Sequence, residues 1–356
     1  MLFDPRPKTR REELFDREEE LEELIEATKK YPLTLLLGIR RIGKSSILRV
    51  ALNELNGIYI DVRELYFESG GWISSSSLKK AIERSLNATK PKWRKELAEI
   101  LKRIEGVKVS GLEIKLSRES SLTDVLLGLN EIGAVIAIDE AQYLRFYGAR
   151  GGKEFLALVA YAYDNLENLS FIFSGSEVGL LHDFLRIDDY TSPLYGRAYE
   201  EVTVEPFSRD LSKEFLKSGF EEAEVRISEG EIEKAVEFLD GIPGWLVEFG
   251  YSYIHTKNFK EAMEKVLRKA EAMILGEIKE LEKKSPRYSL ILKAISLGLD
   301  RWELIKEYIE VRAGEVPNSR LASLLRNLEK MGWVKKEEGR YRIIDPVVRE
   351  VISKAL

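Results

Sequence analysis

The chain has 356 residues, enough for two or three domains of ordinary size. Hydrophobic residues make up 44% and charged residues 33%, which is typical of a folded globular protein, and the absence of cysteine excludes disulfides and thiolate catalysis. Only two histidines occur, which disfavours a zinc site, and the net charge of −5 argues against a protein that coats nucleic acid along its whole surface.

The first residues carry no pattern of export or membrane insertion. The segment MLFDPRPKTRREELF lacks an apolar region followed by a small-residue cleavage site, and no apolar run in the chain approaches the length that spans a bilayer. We therefore expect a cytoplasmic protein without a membrane partner.

Short apolar runs alternate with helical patterns through the first part of the chain. A helix is predicted over residues 17–30, and the run LTLLLG after Pro32 predicts a buried parallel strand. Further strands are expected in GIYIDVR, AVIAIDE and FIFSGS, and VKVSGLEIKL predicts a β-hairpin that turns near Ser110. Strands separated by helices imply a parallel sheet with helices on both faces, so residues 1–206 are predicted to form an α/β domain.

The remaining residues are predicted to form two smaller domains. Residues 207–284 are mostly helical, with GIPGW between two helices, and are interpreted as a helical lid. Residues 285–356 contain three helical stretches, two short strands in WVKKEEGRYRII and a closing helix in DPVVREVI, the order of a winged helix-turn-helix domain. This last segment has 14 basic and 10 acidic residues, a net charge of +4, whereas the preceding residues sum to −9.

A complete phosphate-binding pattern, GIRRIGKSS, lies between the first predicted strand and the helix after it. The spacing G-x-x-x-x-G-K-[ST] lets successive backbone N–H groups point at a phosphate over the positive end of that helix. Lys44 is expected to reach the β- and γ-phosphates, Ser45 to bind Mg²⁺ and Ser46 to bond the α-phosphate. The predicted nucleotide contacts of this loop are Gly38, Ile39, Arg40, Arg41, Ile42, Gly43, Lys44, Ser45 and Ser46.

The run AVIAIDE ends a buried strand in two carboxylates. Burying these groups without a counter-charge would be costly, and a bound Mg²⁺ removes that objection. Asp139 is predicted to hold the metal's water shell and Glu140 to polarise the attacking water as general base. The alternative is a pair of solvated acids at a strand end.

Two further groups are candidates for the same site. Ser174 or Ser176 in FIFSGS can hold the water or the γ-phosphate, although simple turn chemistry explains these serines equally well. Arg197 in SPLYGRAYEE can stabilise the charge that develops on the γ-phosphate, in its own site or in a neighbour's. An ordinary surface arginine is the alternative. With Lys44 and Glu140, Arg197 completes the predicted catalytic set.

Seven motifs occur in a characteristic order: FDREEEL, GIRRIGKSS, IAIDEAQ, FIFSGS, PLYGR, GIPGW and YRIIDP. Through them nearly the whole chain resembles the archaeal ATPase family of AAA+ and STAND-like P-loop proteins, which is related to the archaeal origin-recognition ATPases. The resemblance implies an ASCE-type sheet, with the FIFSGS strand between the loop strand and the acid strand, and ATP as nucleotide. It also implies that Phe15 and Arg17 lie near the adenine and that Pro243 closes over the base. The alternative for Pro243 is a proline that only breaks a helix.

One departure from that family concerns the lid. No convincing arginine stands at the second-sensor position of AAA+ motors, and GIPGW takes its place. This departure weakens the expectation of a ring-shaped motor and favours a nucleotide-dependent switch.

The predicted winged helix has basic residues on its third helix and on its wing. Such residues can approach the major groove and the phosphates of double-stranded DNA. The candidate DNA contacts are Ser319, Arg320, Arg326, Lys335 and Arg340, flanked by Asn318, Lys330, Lys336 and Arg342. They are interleaved with Glu329, Glu337 and Glu338, and winged helices also bind proteins.

Two hypotheses of function remain open at this point. The first is an ATP-hydrolysing switch that acts on DNA, and the second is a regulatory scaffold that hydrolyses ATP very slowly and binds a protein partner through its winged helix. The sequence does not give the oligomeric state.

Overall fold

The computed structural model describes residues 1–356, and these divide into two compact units. The sheet unit comprises Pro7–Gly38 and Lys44–Val204, and the helical unit comprises Met1–Arg6, Ile39–Gly43 and Glu205–Leu356. The division into domains at residues 206 and 284 stays a prediction.

The sheet unit contains eight α-helices and seven strands. In chain order these are α1 (Glu18–Lys30), β1 (Leu33–Leu37), α2 (Lys44–Glu54), β2 (Gly57–Asp61), α3 (Val62–Glu68), α4 (Ser75–Asn87), α5 (Pro91–Leu101), β3 (Val107–Ser110), β4 (Glu113–Leu116), α6 (Leu122–Glu131), β5 (Val135–Asp139), α7 (Lys153–Asn165), β6 (Ser170–Gly175), α8 (Val178–Leu185) and β7 (Glu200–Thr203). Short 3-10 helices cover Arg11–Glu13 and Ala141–Phe146.

Five of these strands form one sheet in the order β2-β5-β6-β1-β7, and all neighbours are parallel. Every residue of β1, β5 and β6 is buried, as expected for strands of a parallel sheet that helices cover on both faces. The FIFSGS strand, β6, lies between β1 and β5, which confirms the order that the family resemblance implied. The predicted hairpin is also present, since β3 and β4 pair antiparallel.

Strand register brings the functional motifs to one edge of the sheet. Asp61 of β2 is opposite Asp139 of β5, and Leu36 of β1 is opposite Ser174 of β6. Because all five strands run in the same direction, their carboxyl ends meet at this edge, where ligands bind in open α/β sheets.

The helical unit contains the predicted lid and winged helix. Its elements are α9 (Arg209–Glu222), α10 (Glu229–Leu239), α11 (Pro243–Thr256), α12 (Phe259–Lys284), α13 (Arg287–Ser296), α14 (Trp302–Ala313), α15 (Asn318–Lys330), β8 (Val334–Glu337), β9 (Arg340–Ile343) and α16 (Pro346–Ala355). β8 and β9 form an antiparallel wing after three helices, which confirms the predicted winged helix-turn-helix.

Phe3 fixes the start of the chain within the helical unit. Its side chain is fully buried, and its ring centroid lies 5.7 Å from that of Phe215 and 4.9 Å from that of Phe220. A Cβ atom placed on Gly219 or Gly250 would lie 2.3 Å or 2.4 Å from the Phe3 ring. These two helical glycines are therefore required by the space that the ring occupies.

We predict that Gly250→Ala lowers the free energy of unfolding by about 1–3 kcal/mol, because the added methyl group overpacks the Phe3 site. The matched control is Gly276→Ala in α12, where an added Cβ meets no atom within 4 Å. There alanine should raise the free energy of unfolding by roughly 0.5–1 kcal/mol through its higher helix propensity. Urea denaturation measures both, and equal effects of the two substitutions would contradict the packing described for Phe3.

Candidate active site

The two ends of the phosphate loop lie in the sheet unit. Gly38 follows β1, and Lys44 is the first residue of α2. The Lys44 side chain is buried, and its Nζ donates a hydrogen bond to the Gly38 carbonyl at 2.8 Å. Gly43 has φ +106°, and an added Cβ would meet no atom within 4 Å, so its backbone conformation and not crowding requires glycine there.

Asp139 is the most heavily hydrogen-bonded group at this edge of the sheet. It is only 2% exposed, and its Oδ2 accepts hydrogen bonds from the hydroxyls of Ser45, at 2.7 Å, and Tyr59, at 2.6 Å. Its Oδ1 accepts a hydrogen bond from the Ser174 hydroxyl. Three hydroxyl groups from three different elements thus satisfy a buried carboxylate. The structure brings Ser45, Asp139 and Ser174 together, and a contact of Ser174 with the water or the γ-phosphate stays a prediction.

Glu140 follows Asp139 with a left-handed backbone, φ 53°, which is an uncommon conformation for a residue other than glycine. Its Oε2 accepts hydrogen bonds from the Ser176 hydroxyl at 2.8 Å and from the Gln142 side-chain amide at 2.6 Å. Burial acts to raise the pKa of Glu140, but the charge of Lys44 and these hydrogen bonds outweigh it and lower the pKa. The Glu140 carboxylate is therefore held ionised in a fixed orientation.

The other predicted nucleotide contacts of the sheet unit have partners of their own. The Ser46 hydroxyl accepts a hydrogen bond from the Lys8 backbone N–H at 3.1 Å. Arg17 is 7% exposed and forms an ion pair with Glu20 at 2.6 Å, and Phe15 is half-buried. A contact of Phe15 or Arg17 with adenine stays a prediction.

Pro243 begins α11, and the next residue, Gly244, donates its N–H to the carbonyl of Arg41 in the phosphate loop at 2.9 Å. This hydrogen bond sets the start of α11 directly against the loop. Closure of Pro243 over the base stays a prediction.

Arg197 has partners of its own. Its guanidinium forms an ion pair with Asp164 at 2.5 Å, donates to the Pro193 carbonyl and lies 5.6 Å from the Tyr163 ring centroid. A catalytic role for Arg197, in its own site or in a neighbour's, stays a prediction.

Sequence reasoning missed Tyr59 and Asp61 on β2. Burial and the neighbouring Asp139 carboxylate raise the pKa of Tyr59, so its hydroxyl stays protonated and remains a hydrogen-bond donor. Burial raises the pKa of Asp61 to about 6, and Asp139 contributes to that rise. The sequence did contain a signal for Asp61. The predicted strands IYID and IAID both end in aspartate, so Asp61 and Asp139 could have been expected at the same edge of the sheet.

The candidate DNA contacts lie on two surfaces of the winged helix. Ser319, Arg320 and Arg326 are exposed on α15, opposite the leucines that the helix buries. Lys335 and Arg340 belong to the wing and form ion pairs, Lys335 with Glu337 at 2.5 Å and Arg340 with Asp300 at 3.2 Å. Arg320 and Arg326 on the helix therefore have no acidic partner, whereas Lys335 and Arg340 on the wing each have one.

The phosphate loop, the buried strand-end aspartate and the sheet order define the class of P-loop nucleoside triphosphatases, here with a C-terminal winged helix. The model of an ATPase domain found predominantly in Archaea matches residues 14–249. The model of the C-terminal winged helix-turn-helix domain of MCM proteins matches residues 282–344. The chain belongs to the archaeal ATPase domain family, as its motifs indicated.

Solved structures agree with this assignment. A Walker-type ATPase of Pyrococcus abyssi is 52% identical, with a TM-score of 0.91 and coverage of 99% of both chains. The ORC2 protein of Aeropyrum pernix, solved in ADPNP and ADP complexes, is 14% identical, with a TM-score of 0.61 over 99% of this chain and 96% of that one. The second likeness concerns the fold alone.

The comparison with curated proteins gave no match. None of the helices combines the length and the apolar character needed to cross a membrane.

We predict that Tyr59→Phe lowers the free energy of unfolding by about 1–2 kcal/mol, because the buried Asp139 carboxylate loses one of its donors. Tyr161→Phe is the matched control, since Tyr161 is 39% exposed and its hydroxyl makes no hydrogen bond. Denaturant unfolding without nucleotide measures both variants. A Tyr59→Phe variant as stable as the control would show that this hydroxyl does not support Asp139.

Proposed function

We propose that the chain is a Mg²⁺-dependent ATPase whose nucleotide state acts as a switch on its lid and winged helix. The observation that carries the proposal is the pair at the end of β5: Asp139 beside the hydroxyl of Ser45, and Glu140 held ionised by Ser176 and Gln142. This pair supports the proposal, because phosphoryl transfer to water needs a metal-binding acid close to a group that orients the water. Membership of the archaeal ATPase domain family supports ATP as the nucleotide.

The residues present fit Mg²⁺. This ion prefers oxygen ligands and usually keeps several waters beside one or two protein groups and the substrate phosphates. The hydroxyl of Ser45 and the carboxylate of Asp139, 2.7 Å apart, offer such oxygens, and no group of three or more acidic or histidine side chains forms a dedicated metal cage. When bound, the ion neutralises charge on the phosphate oxygens.

Each catalytic residue then has a distinct task. The backbone N–H groups of the loop and the ammonium of Lys44 bind the phosphates and draw off their negative charge. Glu140 orients the attacking water through its carboxylate, which Ser176 and Gln142 fix in place. Because the pKa of Glu140 is lowered, orientation and polarisation of the water contribute more than complete removal of its proton in the ground state.

We predict that Glu140→Gln retains ATP binding but loses at least about a hundredfold in turnover, because the amide orients water without polarising it. Phosphate release under saturating ATP measures turnover, and equilibrium binding of ATP measures retention. Glu167→Gln, an exposed glutamate, is the control and should keep the wild-type rate. A wild-type rate indistinguishable from that of Glu140→Gln would reject hydrolysis and favour a regulatory scaffold of very slow turnover.

For the winged helix we propose double-stranded DNA as the partner, contacted through α15. Exposed Ser319, Arg320 and Arg326 support this proposal, since a helix with unpaired basic side chains suits a phosphate-lined groove. Lys335 and Arg340 are proposed as weaker contacts, because each must first leave an acidic partner. The match to the MCM winged helix supports the fold of this module and not its ligand.

We predict that Arg320→Ala and Arg326→Ala each weaken duplex binding of the full chain several-fold and reduce the slope of log affinity against log salt by about one. Arg349→Ala on α16 is a control of equal charge change on an exposed site. Fluorescence anisotropy across a salt series measures the effect. If neither the wild type nor the variants bind duplex at low salt, the winged helix has another partner, and a protein becomes the better hypothesis.

A further inference from the structure

The phosphate loop carries two adjacent arginines, Arg40 and Arg41, at positions that the G-x-x-x-x-G-K-[ST] pattern leaves open. Both belong to the helical unit, together with the other residues of the loop tip. Their contacts within that unit link the loop to the lid and to the winged helix.

Arg41 is held through its side chain. Its guanidinium carbon lies 4.3 Å from the ring centroid of Trp245 on α11, a cation–π distance, and Trp245 is 2% exposed. The Trp245 indole N–H donates to Oδ2 of Asp345 at 2.8 Å, and Arg41 lies 3.8 Å from the same oxygen. Arg41, Trp245 and Asp345 thus form one connected group.

Asp345 is itself fixed in place. Its Oδ1 accepts hydrogen bonds from the N–H groups of Val347 and Val348 and so caps α16, the last helix of the winged helix. The side chain is only 13% exposed. Burial raises the pKa of Asp345, whereas the Trp245 hydrogen bond and the charge of Arg41 oppose that rise.

Arg41 is also held through its backbone. Its φ is +66°, a left-handed conformation that is unfavourable for residues with a Cβ atom. Its carbonyl accepts a hydrogen bond from the N–H of Gly244 at 2.9 Å. A Cβ on Gly244 would lie 2.8 Å from Cβ of Arg41, so this approach requires glycine. The loop therefore has an unfavourable local conformation that contacts from α11 and α16 maintain.

Arg40 makes a parallel set of contacts. Its guanidinium forms an ion pair with Glu277 of α12 and lies 5.7 Å from the ring centroid of Trp333, the residue before β8. Both arginines of the loop thus contact residues of the predicted lid and winged helix, outside the phosphate-binding pattern.

We propose that Trp245 and Asp345 are positioning residues for nucleotide binding, which act through Arg41 to keep the phosphate loop in the conformation that receives phosphates. A loop that is ordered before binding loses less conformational freedom when the nucleotide arrives. The same contacts couple the winged helix to the nucleotide. If Asp345 strengthens nucleotide binding, then bound nucleotide must in turn stabilise the contact between Arg41 and Asp345. This inference rests on the proposed nucleotide site and extends it to the C-terminal domain.

The test measures binding of a fluorescent ADP analogue to the full chain. Asp345→Asn keeps the size of the side chain and its capacity to cap α16 but removes the charge that faces Arg41, and Trp245→Leu removes the cation–π contact. We expect each variant to bind the analogue about tenfold more weakly, with faster dissociation, as the loop relaxes from the left-handed conformation. Asp300→Asn is the control, because it breaks an ion pair of the same domain at the wing.

A double-mutant cycle distinguishes positioning from general damage. Glycine adopts a left-handed conformation without strain, so in an Arg41→Gly background Asp345→Asn should cause no further loss of affinity. An equal loss in both backgrounds, or no loss in either, would overturn the inference. If the wild-type chain binds no nucleotide, the proposed function fails and this inference fails with it, whereas unchanged affinity in the single variants overturns this inference alone.

Discussion

Asp139 is a carboxylate at the carboxyl end of β5, only 2% exposed, and it is surrounded by hydroxyl groups. A buried charge without partners would be strongly unfavourable. Ser45 on α2, Tyr59 on β2 and Ser174 on β6 supply the donors, so the helix after the phosphate loop and both neighbouring strands converge on a single side chain. The strand order β2-β5-β6-β1 allows these contacts, because it puts β5 between β2 and β6. The proposed Mg²⁺ site lies at this carboxylate.

The phosphate loop depends on a second constraint of the same kind. The left-handed backbone of Arg41 is locally unfavourable. Tertiary contacts maintain the loop: Gly38 with Lys44 in the sheet unit, and Arg41 with Gly244 and Trp245 in the helical unit. Strained backbone that surrounding structure holds in place is characteristic of functional sites.

Much of the fold could be predicted because its signals are local. Apolar runs indicated the strands that carry Asp139 and Ser174, the phosphate-binding spacing indicated the helix that begins at Lys44, and β6 lies between its two partners as the family resemblance implied. Tyr59 could not be found in that way, because its role depends on the register between β2 and β5. The link from Arg41 to Asp345 joins residues about three hundred positions apart in sequence, and no periodicity encodes such a contact. Arg197 was assigned on its place in a motif, whereas its ion pair with Asp164 depends on tertiary packing.

Residues 38–46 are proposed to bind the phosphates of ATP, with Lys44 as a principal contact. Isothermal titration of ATP with Mg²⁺ into the wild-type chain and into Lys44→Ala tests it most directly. The account predicts one ATP per chain for the wild type and an affinity at least about tenfold weaker for Lys44→Ala, because a charge-assisted contact to the β- and γ-phosphates is lost. Equal affinity in the two proteins would place the nucleotide elsewhere and contradict the account.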